Sequence, residues 1–290
     1  MLAFFFGLKK SGNFIQLDYL EYMNLGFIGT GEITKAVVLG ITKSKIKYKK
    51  ILISKRNNKI SNYLKKINKR VKISSSNQFI IDNSDWIFLA ITPNVGKKIL
   101  GNLKFNKNKL IISFISSIKL RDLKILTNRN ATIVRAIPLP PISIMKGPVP
   151  FFPRNRKVKQ FFNNIGDSIE INDETSSLNF WAASSLMAPY YEMLHEVTKW
   201  LQKKGLNKLY AQKYVVSLFS ALSDAAVIRS NKDLKLLVKT SQTPKGLNEE
   251  ALKFLKKVGF YKQLNFSLEK ILKRLKWCSH AFRRLYFKYL

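Results

Sequence analysis

A short apolar segment that runs straight into a glycine turn and then a helix constrains this chain more than any other feature. Leu25-Gly26-Phe27-Ile28 reads as a buried strand and Gly29-Thr30-Gly31 as the turn. The apolar positions Ala36, Val37, Val38 and Ile41 have the spacing of the helix that follows. Ile51-Leu52-Ile53 then reads as a second strand, so the order is that of a unit which builds a parallel sheet. In such a unit the turn glycines let the backbone approach a pyrophosphate, which rests at the positive N-terminal end of the helix. Gly29, Gly31 and the amides of Glu32 and Ile33 are the expected phosphate contacts. The third position of the usual G-x-G-x-x-G pattern holds Thr34, so the motif leans on its context.

The residues after the second strand indicate which dinucleotide. A site for NAD offers a carboxylate about 20 residues after the turn, to hold the ribose 2′-hydroxyl. Here Ser54-Lys55-Arg56-Asn57 stands in that place, and no Asp or Glu occurs between Glu32 and Asp82. A carboxylate would repel a 2′-phosphate, whereas an arginine grips one with paired, charge-assisted hydrogen bonds. Ser54 and Arg56 are the expected contacts to that phosphate. NADP(H) is the expected cofactor, with NAD(H) left open, and redox chemistry the expected function.

A strand at Val71–Ser74, a buried one at Trp86–Ile91 and further short apolar runs at Leu110–Ile115 and Ala131–Ala136 alternate with helical signals. That alternation predicts a mostly parallel sheet with helices on both faces. Prolines from Pro138 to Pro153 predict a long rigid loop, and Phe161 to Ile171 one more helix and strand. From Asp173, a plausible N-cap with Glu174 in the first turn, the pattern turns helical. Helices are expected at 173–204, 207–229, 247–257 and 262–285, broken at Gly205, Gly246 and Gly259. The expected fold is α/β: a Rossmann-like dinucleotide-binding domain over 23–171, then an all-helical dimerisation and substrate domain over 172–290. Residues 1–22, ahead of Met23, are expected to be an extension, either untranslated or disordered; they make a poor signal peptide.

Composition bounds the partners. With 46% hydrophobic residues and twenty Phe, a disordered protein is excluded. The net charge of +35 invites a nucleic-acid reading, but the lysines are scattered and no nucleic-acid module accompanies them. No nucleic-acid partner is expected. The stretch Lys253–Leu290 carries eleven Lys and Arg against one acid, Glu269, which reads as a solvated helix face or, alternatively, a polyanion or membrane-surface contact. The single Cys278 excludes an internal disulfide and fits a cytoplasmic setting. With His195 and His280 the only histidines, no zinc site is expected. No apolar run approaches the ~20 residues that span a bilayer.

Several segments, in order, resemble the pyrroline-5-carboxylate reductase family, from about Asn24 to Leu275. Besides the glycine turn and Ser54-Lys55-Arg56-Asn57, these are Phe88-Leu89-Ala90-Ile91-Thr92-Pro93-Asn94, Val134-Arg135-Ala136-Ile137-Pro138 and Thr243-Pro244-Lys245-Gly246 with Glu250-Ala251-Leu252. The resemblance implies an NAD(P)H-dependent reduction of a cyclic imine, 1-pyrroline-5-carboxylate to L-proline, by a homodimer or higher homo-oligomer. It implies that Asn77 touches the cofactor, that Ala90 and Pro93 shape the nicotinamide side, and that Thr243, Gly246 and Asn248 face the substrate carboxylate. The substrate half departs from the family: Leu139 replaces an asparagine, Ser185-Leu186-Met187-Ala188-Pro189 lacks two glycines, and Lys245-Gly246-Leu247-Asn248 replaces Gly-Gly-Thr-Thr. A related imine or carbonyl reductase with another substrate therefore stays open, as does a non-catalytic NADP-binding dimeric paralogue.

No residue is assigned as acid or base, since hydride transfer to an imine is chiefly the cofactor's chemistry. Pro93 and Pro138 read also as ordinary strand-end prolines, and Thr243 as an N-cap ahead of Pro244. His195 reads as a core or interface residue before a base, Tyr190 and Tyr191 as either proton donors or packing residues, and Cys278 as inert.

Overall fold

The computed structural model describes residues 22–127 and 131–286. The expected extension falls on residues 1–22, nearly all outside that range. The first strand, β1 (Met23–Ile28), leads to α1 (Glu32–Lys43), β2 (Tyr48–Ser54), α2 (Asn58–Ile67) and β3 (Val71–Ser74). The chain continues through α3 (Asn77–Asp82), β4 (Trp86–Leu89), α4 (Pro93–Ile99), β5 (Leu110–Ser113), α5 (Leu120–Leu126) and β6 (Thr132–Ala136). After a 3-10 turn at Pro140–Ile144 come β7 (Pro148–Phe152), α6 (Arg156–Asn163) and β8 (Asp167–Glu170). The rest is helical: α7 (Glu174–Ser184), α8 (Met187–Lys203), α9 (Lys208–Ile228), α10 (Leu234–Thr240), α11 (Leu247–Lys257) and α12 (Phe260–Tyr286).

The eight strands form one sheet in the order β3-β2-β1-β4-β5-β6-β7-β8. From β3 to β6 every neighbouring pair is parallel. Strands buried on both faces must be apolar throughout, and β4, Trp-Ile-Phe-Leu, is buried at every residue. The centre of the core is aromatic. Phe27 and Phe88 face each other in register on β1 and β4, with ring centroids 4.4 Å apart. Phe114 and Phe161 close on Phe88 at 5.8 and 5.6 Å.

Chain order reverses between β1 and β4, which opens a crevice beyond their C-terminal ends. On another face, α1 packs against the 3-10 turn through Gly40. A β-carbon there would lie 2.4 Å from the Ile142 carbonyl oxygen.

The chain divides into two compact units. One holds residues up to Ile115 with Leu123–Val149 and Asn155–Ile169; the other holds Ser116–Asp122, Pro150–Arg154 and everything from Glu170 on. In the second unit α8 packs on α9, while α7 and α11 pack on α12. Among the described residues no helix is long and apolar enough to cross a membrane.

Three expectations are corrected. The proline stretch is not one loop but carries the 3-10 turn and β7. Pro148 and Pro150 are two apart, so their missing donors fall on one edge of the strand. The other edge keeps its ladder, with Gly147 and Phe151 carbonyls accepting from Asp167 and Ile171 amides at 2.9 and 3.0 Å. The helix expected over 173–204 breaks at Ser185-Leu186. A continuous helix would place Pro189 in its interior, whereas the break puts it in the first turn of α8, where no donor is needed. The third is α10, which falls between the helices expected at 207–229 and 247–257, where none was expected; Asp233 caps it by accepting from the Lys235 amide at 2.9 Å. Asp173 does cap α7, accepting from the Ser176 amide and hydroxyl at 2.9 and 2.6 Å.

Gly40→Ala sets helix propensity against close packing. Alanine favours the helix by about 1 kcal/mol, but the clash is with backbone, which cannot swing aside. A net loss of about 1–3 kcal/mol is expected in urea unfolding; unchanged stability would mean that α1 and the turn are free to part.

Candidate functional site

A cleft of about 540 Å³ opens at the crevice beyond β1 and β4. Gly29, Ser54, Arg56 and Asn77 line it, together with Lys55 and Asn58. Ile91, Val95 and Ile99 form its apolar side. Gly31, Glu32, Ile33, Ala90 and Pro93 are not among the lining residues; they occupy the adjoining turn, the first turn of α1, and the two positions flanking Ile91-Thr92. Ser75, Asn58 and the three apolar residues were missed in the sequence. Their signal is positional: Gly29, Lys55, Ser75 and Ile91 each follow closely on the C-terminal end of a strand.

The two glycines of the turn have different reasons to be glycine. Gly29 sits at φ +100°, and a β-carbon on it would lie 2.2 Å from the Ala90 carbonyl oxygen. The fold demands it. Gly31 has an ordinary φ of −103°, and a β-carbon there would meet nothing within 4 Å. The space above it is free for a group from outside the chain. Gly31 is also the N-cap of α1 and supplies no side-chain cap, so the first-turn amides of the helix have no side-chain acceptor. An open space, uncapped amides and a cleft suit a bound diphosphate.

Hydroxyls pin the turn. The Gly29 amide donates to Ser54 Oγ at 3.0 Å, and its carbonyl accepts from Thr34 Oγ1 at 2.7 Å. Thr30 Oγ1 donates to the Ser54 carbonyl at 2.5 Å and lies 3.1 Å from Ser54 Oγ. Thr34, at the third position of the glycine pattern, is fully buried. Beyond this knot Lys55, Arg56, Asn57 and Asn58 are exposed, and among the described residues neither Lys55 nor Arg56 enters an ion pair. The end of β2 is thus positively charged and unneutralised.

The family described as NADP oxidoreductase, coenzyme F420-dependent, matches residues 24–117, the stretch that builds this cleft. Pyrroline-5-carboxylate reductase 2 of Bacillus subtilis is 23% identical over 259 residues, covering 86% of this chain and 93% of its own length. Pyrroline-5-carboxylate reductase of Haemophilus influenzae is 25% identical over 239 residues, 78% of this chain and 86% of its own. The chain is related to the pyrroline-5-carboxylate reductases. The crystal structure of Plasmodium falciparum pyrroline carboxylate reductase with NADP bound matches the fold with a TM-score of 0.77 at 23% identity. That match covers 89% of this chain and 98% of the other.

Thr243, Gly246 and Asn248, the expected substrate contacts, lie in the second unit at the start of α11. Thr243 is not the N-cap of that helix; Gly246 is, and its amide closes a turn on the Thr243 carbonyl at 2.8 Å. Asn248 Nδ2 donates to the Ser241 carbonyl at 2.8 Å, which ties the loop to the helix. Lys245 is held in the left-handed region at φ +59°, and its amide donates to Glu249 Oε2 at 2.7 Å. Lys253 and then that amide hold the Glu249 carboxyl below its ordinary value. A lowered carboxyl pKa supports the fold above the ordinary carboxylate range, and that support is lost as pH falls through the lowered value.

His195 is exposed on α8 rather than in the core. Tyr190 packs edge-on to Phe219 with centroids 6.3 Å apart. Cys278 is free and half-buried. Among the described residues no group of three or more His, Cys, Asp or Glu gathers as metal ligands would.

Lys245 pays for its conformation, since an L side chain in the left-handed region costs about 1–2 kcal/mol. Lys245→Gly removes that cost and adds entropy to the unfolded chain, for a net gain of about 0.5–1 kcal/mol in urea unfolding. A loss on substitution would show that the lysine side chain itself holds the turn.

Proposed function

We propose that this chain is an NADPH-dependent reductase of a C=N bond, and that 1-pyrroline-5-carboxylate, reduced to L-proline, is its substrate. The observation that carries the reading is the cleft at the sheet's reversal point, lined by the Gly29 turn and by the unpaired Lys55 and Arg56. The kinship with pyrroline-5-carboxylate reductases supports the substrate. NADPH, when bound, supplies the hydride. The amides of Glu32 and Ile33 receive the pyrophosphate, and Gly31 leaves room for it. Arg56 pairs with the 2′-phosphate as a fork, and Lys55 adds a point charge. Asn77 contacts the cofactor from the cleft wall; Ala90 and Pro93 shape the nicotinamide side. Thr243 and Asn248 hold the substrate carboxylate, and Gly246 shapes the turn between them, its own amide bonded to the Thr243 carbonyl. An imine nitrogen takes its proton from water before reduction, so no side chain need act as the acid.

The working unit in this reading is a homodimer or higher homo-oligomer, in a cytoplasmic setting. The support is the second unit's exposed apolar surface. Over its 21 residues α9 buries only Ala211 and Val215. Tyr214, Val216, Leu222 and Ile228 stay exposed on the same helix, a surface too apolar to be left to water.

A second reading keeps the cofactor and changes the substrate. Leu247 stands where the family has a glycine or hydroxyl residue and is 85% exposed at the start of α11. Its side chain offers a carboxylate no donor, which favours a bulkier or less polar imine.

Turnover decides between them. The protein from Met23 onward is expected to oxidise NADPH rapidly with racemic pyrroline-5-carboxylate, and Arg56→Ala to raise the NADPH Kd about 10–100-fold through loss of charge-assisted hydrogen bonds. Binding without turnover on this substrate, but with turnover on other cyclic imines, would replace the first reading by the second. Separately, sedimentation is expected to give a dimer or larger species that Leu222→Glu reduces toward monomer without unfolding it. A wild-type monomer at micromolar concentration would remove the assembly from the proposal.

A further inference from the structure

Ser54 stands where a contact to the 2′-phosphate is expected, yet its hydroxyl is already committed to the fold. The side chain is 6% exposed and Thr30 is 3% exposed. The proton assignment follows from the distances. The single hydroxyl proton of Thr30 goes to the Ser54 carbonyl at 2.5 Å. The proton between the two hydroxyl oxygens, 3.1 Å apart, must then be that of Ser54. Ser54 Oγ also accepts from the Gly29 amide at 3.0 Å. Its donor is spent on Thr30, and what it has left is acceptor capacity. A phosphate dianion offers acceptors and no donors, so nothing remains for Ser54 to give it.

Resting on the NADP reading above, we infer that Ser54 and Thr30 are a positioning pair: they hold the phosphate turn for any dinucleotide, and Arg56, with the charge of Lys55 beside it, decides for the 2′-phosphate. The chain of bonds runs from the Gly29 amide to Ser54 Oγ, on to Thr30 Oγ1, and back to the Ser54 carbonyl. It ties the end of β2 to the turn after β1, so the two ends of the dinucleotide site move as one piece. Thr34 Oγ1 completes the clamp from the other side by donating to the Gly29 carbonyl. A turn fixed at both its amide and its carbonyl presents the α1 amides with no ordering left to do when the ligand arrives. Neither member of the pair senses which dinucleotide is bound.

Equilibrium binding of NADPH and of NADH to the same variants tests this. Ser54→Ala and Thr30→Val are each expected to weaken both cofactors by the same factor, about tenfold for a lost buried hydrogen bond. The NADPH-to-NADH preference stays where it was. Thr30→Ser restores wild-type binding, because it keeps the hydroxyl. Arg56→Ala, by contrast, weakens NADPH and leaves NADH alone. Should Ser54→Ala fail to fold, Thr30→Val and its serine rescue carry the comparison. A Ser54→Ala protein that loses affinity for NADPH but not for NADH would overturn the inference and make Ser54 a phosphate contact. Unchanged binding of both cofactors by Thr30→Val would overturn it too. Should the wild type bind neither cofactor, the dinucleotide reading itself fails and the inference with it.

Discussion

Where β1 and β4 end, the Gly29 α-carbon and the Ala90 carbonyl lie so close that only hydrogen fits between them. The contact is a consequence of the strand order. The chain steps outward from β1 to β3 and returns to pair β4 on the other side of β1, so both strands reach the reversal point together. The Ala90 amide extends that pairing by one bond, donating to the Ile28 carbonyl at 2.9 Å. Gly29 must then leave the strand at positive φ, which aims the chain into α1. The helix N-terminus, the open space over Gly31 and the cleft wall at Ile91 all inherit their positions from this one crowded crossing.

The hydroxyl knot is a second layer on the same constraint. A glycine turn is entropically loose, since glycine has more conformations to lose than any other residue. Thr30, Thr34 and Ser54 supply the restraint that glycine lacks, by holding both polar groups of the Gly29 peptide. Thr34 also explains how the chain manages without the third glycine of the pattern. That glycine serves close helix-to-strand packing, and here a buried threonine fills the place and bonds backward across the turn. A departure that weakens the motif in the sequence strengthens the turn in the structure.

Much of the first unit was legible because doubly buried parallel strands are written as apolar runs, as in β4, β5 and the Ile51-Leu52-Ile53 segment of β2, while the edge strand β3 alternates instead. What was hidden depends on parity and on local alternatives. Pro148 and Pro150 look like loop residues until their two-residue spacing is matched to one edge of β7. Ser185 and Leu186 look helical until Pro189 is counted forward from them. At the site, Gly29, Ser54 and Arg56 all line the cleft, while the bonds of the Ser54 hydroxyl to the Gly29 amide and to Thr30 had no signal in the sequence. A serine at a strand end has the same chemistry whether it faces a ligand or the next turn; only the fold brings Thr30, twenty-four positions away, to its hydroxyl. Thr243 shows the same limit, since its alternative reading as an N-cap gives way to Gly246, three residues further on.

The second unit is organised by what it does not bury. Neither α10 nor α11 has a single buried residue, and α9 has two. Helices draw most of their stability from the apolar face they pack, not from propensity, so elements this exposed support the proposed homo-oligomer. The charge sharpens the point. With 52 Lys and Arg against 17 Asp and Glu, like-charge repulsion works against compactness and against association alike. Whatever covers the apolar face of α9 has to outweigh that repulsion, which an apolar seam achieves and scattered surface ion pairs, worth about 0–1 kcal/mol each, do not. The turn that carries Thr243, Gly246 and Asn248 belongs to this same unit, held by Glu249 and by the Ser241 carbonyl. In the proposed homo-oligomer, completing the helical unit would also steady this turn, whereas the cleft of the first unit is built within one chain.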